Sequence, residues 1–246
     1  MRLRLINIIS IICCYTIQST EAQQQEHWYG GLNGGLSFPA GKFARHDSLT
    51  NEYGFANVGG IFNIEAGYRL SRSFVITSCL STGINSFLDS EYIDLSEEIY
   101  LQTYPGANLT FTSGHYKWHN IALGPMICFG PANSFYCRLL LGQLRLFTPL
   151  IRTTVNEAGT SYTFSELPTS DYAFSYQAGA GIRIRLNSKL LLNFSSDYLH
   201  SKHEFGILTF SADNSNTTKP ETLTYFREFT VIQLNAGIIY SFVKTN

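Results

Sequence analysis

From Ile232 to Phe242 the chain alternates strictly. Ile232, Leu234, Ala236, Ile238, Tyr240 and Phe242 fall on one face, and Gln233, Asn235, Gly237, Ile239 and Ser241 fall on the other. A period of two is that of a β-strand, whose successive side chains point to opposite sides. The stretch from Tyr172 to Leu186 repeats it. Tyr172, Phe174, Tyr176, Ala178, Ala180, Ile182, Ile184 and Leu186 oppose Ser175, Gln177, Gly179, Gly181, Arg183 and Arg185. A continuous greasy face set against a face bearing two arginines fits a sheet with lipid on one side and a polar interior on the other.

Six further segments extend the pattern: Trp28 to Phe38, Phe62 to Leu70, Phe74 to Asn85, residues 114–127 and 135–147, and Lys189 to Phe205. In the fourth and fifth the alternation weakens. Pro125 interrupts a ladder position and Leu139, Leu140 and Leu141 are consecutive, so bulges near Gly124 and Gly142 are expected to change the phase. Eight strands result. Short turns follow the even ones, at Ser71-Arg72, residues 130–134 and Asn187-Ser188, and loops of about twenty residues follow the odd ones, near 39–57, 87–113, 148–171 and 206–228. The expected fold is all-β: an eight-stranded antiparallel up-and-down transmembrane β-barrel with four long external loops and three short periplasmic turns. A soluble barrel carrier would have the same strand count, with the greasy face inside and the arginines in water.

Composition agrees with the membrane version. Charged residues make up 14% of the chain, against about 25% in an average soluble domain. Net charge is −1, so nothing suggests nucleic acid as a partner. Residues 1–22 read as a signal peptide, with Arg2 and Arg4, an apolar stretch from Leu5 to Tyr15, and Thr20-Glu21-Ala22 before the expected cut. A lipoprotein signal at Cys13 or Cys14 lacks the small residue such a site needs. Residues 23–246 form the barrel domain. Of its three cysteines, Cys79, Cys128 and Cys137, the last two flank a turn, and either small apolar filling or a cross-hairpin pair is open to them.

Eight strands enclose a space that side chains fill. Glu65, Arg69, Arg183, Arg185 and Asp197 carry the inward parity and are expected to form a polar network that plugs the barrel. Trp28, Tyr68, Tyr240 and Phe242 are expected at the turn-side lipid interface, where amphipathic rings settle.

The opening Trp-Tyr-Gly-Gly-Leu-Asn-Gly-Gly-Leu-Ser-Phe (28–38), the hairpin spacing and the closing Gly-Ile-Ile-Tyr-Ser-Phe (237–242) resemble the small outer-membrane β-barrel domain of Bacteroidetes, which includes PorT-like proteins. That resemblance implies residence in the outer membrane among its lipids. It also implies insertion by the general barrel-insertion machinery, to whose final-strand signal Tyr240 and Phe242 correspond, and partners among envelope or secretion proteins.

Candidate chemistry is sparse. His200, Ser201, His203 and Glu204 lie near the outer end of the seventh strand, and His46-Asp47-Ser48 lies in the first loop. On a strand His200 and Ser201 point apart, whereas Ser201 and His203 share a face, as a nucleophile and its base would have to. No orienting partner or oxyanion donor is visible in the sequence. His115, Lys117 and His119 share a face without a convergent carboxylate, so neither a metal nor a cofactor is expected. Asn108, Asn193 and Asn216 head glycosylation-like triplets, and Asp47-Ser48-Leu49 resembles the O-glycosylation motif of Bacteroidetes. The expectation is a non-enzymatic outer-membrane protein; the alternative is a lipid-modifying enzyme with its site at the barrel rim.

Overall fold

The structure is a computed structural model and describes residues 28–50, 52–130, 134–157, 159–212 and 221–242. The expected signal peptide, Cys13, Cys14, most of the second turn and Asn216 lie outside these residues.

Among the described residues eleven strands form, in the order β1 (Trp28–Pro39), β2 (Ala56–Arg69), β3 (Phe74–Phe87), β4 (Asn108–Ser113), β5 (Tyr116–Phe129), β6 (Phe135–Phe147), β7 (Ile151–Glu157), β8 (Thr160–Glu166), β9 (Ser170–Arg185), β10 (Leu190–Ala212) and β11 (Glu221–Phe242). Among the described residues one helix, α1 (Asp89–Thr103), and a 3-10 turn at Gly41–Phe43 complete the elements. Eight of the strands close a ring. β1, β2, β3, β5, β6, β9, β10 and β11 pair antiparallel in that order, and β11 pairs both β10 and β1. Closure leaves no edge, which an all-β membrane span requires.

The faces are inverted relative to a soluble barrel. Outward positions such as Leu32, Ile121, Leu139, Phe174 and Ile238 are exposed, while Asn33, Asn63, Asn120, Gln177 and Gln233 are buried inside. Exposed apolar side chains ring the wall. Along β10 this belt runs from Leu190 to Tyr198, nine positions, the length a tilted strand needs to cross the hydrocarbon. Beyond Tyr198 the outward residues of β10 include Lys202 and Glu204, so the apolar belt ends there and a charged outer surface takes over.

One expectation about the strands needs correction. No bulge forms at Gly124 or Gly142: β5 and β6 keep one register from Lys117↔Phe147 to Phe129↔Phe135. Leu139 and Leu141 are exposed, and Leu140 between them is fully buried, so the alternation is intact and merely has an apolar residue on its inner face. The break in register lies in β2 against β3, between Ala56 and Gly59. Cys128 points inward and Cys137 outward on neighbouring strands, and both are free thiols, so the pairing left open by their spacing is ruled out by parity.

The long connections are not loose. Residues 87–113 form α1 and β4, and residues 148–171 form the hairpin β7–β8. β10 and β11 run on past the belt as one long hairpin, from Leu190↔Tyr240 to Thr209↔Glu221. β8 joins β10 through Thr209↔Glu166, and β7 and β4 follow, so the ring sheet continues into an external tier. Aromatic residues supply its core. Tyr92 packs on Phe55, Phe87 and Phe111, and Tyr100 of α1 lies 5.4 Å from Phe164 of β8. Asp89 and Glu91 in the first turn of α1 complement its dipole.

Candidate functional site

Each of the eight ring strands sends a residue into one bonded network in the middle of the lumen. Arg138 of β6 donates Nη1 to Glu65 Oε2 of β2 at 2.6 Å, and grips Asp197 of β10 with Nε–Oδ1 and Nη2–Oδ2, both 2.8 Å. Arg183 of β9 donates Nη2 to Glu65 Oε1 at 2.8 Å, and the Tyr29 hydroxyl of β1 reaches the same oxygen at 2.8 Å. Thr77 of β3 lies 2.9 Å from the Tyr29 hydroxyl, Met126 of β5 lies 3.6 Å from Arg183, and Asn235 of β11 donates to Asp197 at 3.3 Å. Two guanidinium groups thus face two carboxylates and the cluster is neutral, which is the condition for burying charge at all. The Arg183 guanidinium also lies over the Tyr29 and Tyr136 rings, at 4.4 and 4.7 Å.

Small residues make the room. A Cβ at Gly179 would sit 1.9 Å from Asp197 Oδ1, and one at Gly67 would sit 2.2 Å from the Tyr29 ring. Glycine at these two positions is therefore a packing requirement of the network.

Of the residues expected here, Glu65, Arg183 and Asp197 meet. Arg69 and Arg185 do not. They share the inward parity but stand at the last ladder positions before the turns, Arg69 donating to the Arg72 carbonyl and Arg185 exposed. The residue that sequence reasoning missed is Arg138, the hub. It sits one position before the leucine run that obscured the phase of β6; an unbroken alternation through that run would have found it. Trp28, Tyr68, Tyr240 and Phe242 cluster at the turn-side edge of the outer wall, with Trp28 opposite both Tyr68 and Phe242 and its ring 4.7 Å from that of Tyr68.

Apolar layers close the lumen on both sides of the network. Val75, Cys128 and Ile239 lie toward the turns, and Trp118, Leu144, Leu199, Phe229 and Val231 lie toward the loops under Phe43 and Phe55.

A second constellation occupies the outer end, above the belt. Ser201 Oγ lies 2.8 Å from His203 Nε2, and His203 Nδ1 faces Asp171 Oδ2 of β9 at 3.3 Å, an ion-pair distance looser than an aligned hydrogen bond. Asp171 Oδ2 is itself fixed by the backbone N–H of Glu204 at 3.1 Å. Ser201 and His203 are 1% and 0% exposed. Burial pushes the His203 imidazole down to about 4, against the opposing pull of Asp171, so at neutral pH it is the uncharged base. Arg227 of β11, also buried, stands directly opposite His203 and donates to the Tyr116 hydroxyl. His200 points the other way and meets Thr230 on the outer wall.

The remaining candidates do not converge. Lys117 and His119 are exposed on the outer face of β5 and His46 turns to the Ala44 carbonyl. Among the described residues no group of three or more His, Cys, Asp or Glu is placed to hold a metal. Asn193 is buried in the lumen, where no glycan could be attached.

A closed eight-stranded ring with an apolar exterior and a bonded, charged interior is the architecture of a small outer-membrane β-barrel. No family profile matches the sequence, and no curated protein matches it. Among solved structures the chain is similar to the attachment invasion locus protein Ail of Yersinia pestis, at 12% identity over 89% of this chain and 100% of that one, with a TM-score of 0.43. A major outer membrane protein from Thermus thermophilus gives the same values. The N-terminal β-barrel domain of Pseudomonas aeruginosa OprF is 11% identical over 89% of this chain and 100% of that one, with a TM-score of 0.37. With identities and TM-scores this low, the assignment of the fold rests on the ring and its inverted faces.

Proposed function

We propose that the chain is an integral protein of the bacterial outer membrane whose barrel is a sealed anchor and whose work is done by the external tier. The observation that carries this reading is the inversion of faces. The wall offers lipid a continuous apolar belt, while the lumen is spanned from wall to wall by the Glu65–Arg138–Asp197 and Glu65–Arg183 contacts. The embedded half performs no chemistry, because its charged groups are committed to one another. A solute would have to break several charge-assisted bonds and two apolar layers to pass.

Exchange takes place outside the belt, where α1, β4 and the β7–β8 hairpin give a folded surface. Its partners are envelope or secretion proteins, in the manner that the resemblance of residues 28–38 and 237–242 to the PorT-like family implies. Insertion uses the general barrel-insertion machinery, with Tyr240 and Phe242 on the lipid face of the closing strand as its signal. The protein is expected to remain in the membrane after carbonate washing and to migrate faster unheated than heated on a detergent gel. Recovery in the soluble fraction would sink the reading. Comparing secreted proteins between a deletion strain and its parent tests the secretion role separately.

A further inference from the structure

The wall of the ring is not continuous at its outer end. β9 and β10 pair from Arg185↔Leu191 up to Ser175↔Ser201, and there the ladder stops. Residues 170–174 of β9 continue against β6 alone, and β10 continues against β11 alone until it meets β8 at Thr209. Between these points the two strands part, and Asp171 is the residue that reaches across, to His203 and to the Glu204 amide. Outward on either side stand Tyr172, Phe174 and Tyr198, the residues expected where hydrocarbon gives way to headgroups, followed by Lys202. The parting therefore begins just above Tyr198, where the apolar belt ends, and Ser201, itself buried, sits at its lower corner.

Going beyond the anchoring role, we infer that Ser201, His203 and Asp171 form a serine-nucleophile site that cleaves an acyl ester of a membrane lipid admitted sideways between β9 and β10. His203 Nε2 takes the proton of Ser201 Oγ as that oxygen bonds to the acyl carbonyl carbon. The ester C–O bond then breaks, and His203 returns the proton to the departing alcohol. Water, activated by the same imidazole, hydrolyses the acyl-serine to a free fatty acid and restores the hydroxyl. Asp171 is a positioning residue that holds the Nδ1–H tautomer. Arg227, a buried cation opposite His203, is the group placed to meet the oxyanion. The aromatic side chains of Phe205, Tyr225 and Phe229 on the same inner face provide an apolar bed for the chain being cut. The alternative is that the three residues are a bonded strut between the parted strands and nothing more.

The test uses the purified full chain, folded in detergent and in phosphatidylethanolamine vesicles, with heat-modifiable migration as the check of folding. A long-chain fluorophosphonate is expected to label Ser201, located by peptide mapping. Hydrolysis of a long-chain nitrophenyl ester should exceed that of its butyrate counterpart. Ser201→Ala should abolish both signals and His203→Gln should lower them by about 10³-fold. Asp171→Asn should lower kcat with KM unchanged, and Asp171→Glu should recover part of it, which a mere strut would not do. Folded protein that leaves Ser201 unlabelled in both media, or that reacts equally well after His203→Gln, overturns the proposal. A preference for the butyrate ester overturns the lipid assignment.

Discussion

Arg138 of β6 and Asp197 of β10 reach past the intervening strand β9 to form two parallel 2.8 Å hydrogen bonds, although they lie 59 positions apart in the chain. The same guanidinium holds Glu65 by its remaining nitrogen, so removing it leaves two buried carboxylates with Arg183 as their only cation in the cluster. Breaking one side of a buried pair typically costs about 3–5 kcal/mol. Arg138→Met is expected to lower the unfolding free energy in micelles by about that much, read from urea titration of the heat-modifiable species. In a double-mutant cycle with Asp197→Asn the losses should be markedly less than additive. Additive losses would mean the two side chains do not act together.

Gly179 lies directly across from Asp197 on the neighbouring strand. A methyl there would overlap Oδ1, at 1.9 Å, and the carboxylate cannot retreat without releasing Arg138. Gly179→Ala should therefore destabilise the barrel on the scale of a lost buried ion pair, about 3 kcal/mol, and Gly179→Val more. Gly60→Ala is the control, since nothing lies within 4 Å of a Cβ built there, and it should be close to neutral. Equal effects at the two glycines would show that backbone propensity, not space for Asp197, decides the outcome.

Much of this was legible beforehand because a barrel wall obliges each strand to alternate. The eight ring strands and the inward parity of Glu65, Arg183 and Asp197 follow from period two alone. Three things did not. Arg138 was hidden by Leu139-Leu140-Leu141, since a leucine on the inner face mimics a phase change when polar residues are taken as the mark of that face. The external tier was read as loops because α1 presents Tyr92, Ser96 and Tyr100 at helical spacing within an acidic, polar stretch, and β7 and β8 are too short to show a period. Asp171 pairs with His203 only because β9 and β10 part at that point, and no sequence pattern states where two strands separate.

Parity also separates the cysteines. Cys137 faces outward within the apolar belt, while Cys79 and Cys128 are 2% and 1% exposed on the inner face. A small apolar maleimide should modify Cys137 of the folded protein in detergent within minutes and leave the other two untouched until the barrel is unfolded. A membrane-impermeant maleimide should fail at all three in vesicles. Modification of Cys128 at the rate of Cys137 would contradict the assigned faces.

Glu166 ends β8 in the external tier, opposite both Ile151 and Thr209. Burial raises its pKa above the ordinary carboxylate value, and the field of Arg227 offsets that only in part. A carboxyl whose folded pKa is raised binds its proton more tightly in the folded state, so its favourable contribution is complete below the unfolded pKa of about 4.3 and disappears as pH rises through the folded value. At neutral pH Glu166 is thus a charge held against its preference. Glu166→Gln should make the β7–β8 hairpin more resistant to added protease on vesicles at pH 7 to 8. At pH 4, where the native carboxyl is already protonated, the variant and the parent should be cut alike. A variant that is less resistant at pH 7 would mean that the attraction to Arg227 outweighs the cost of burial.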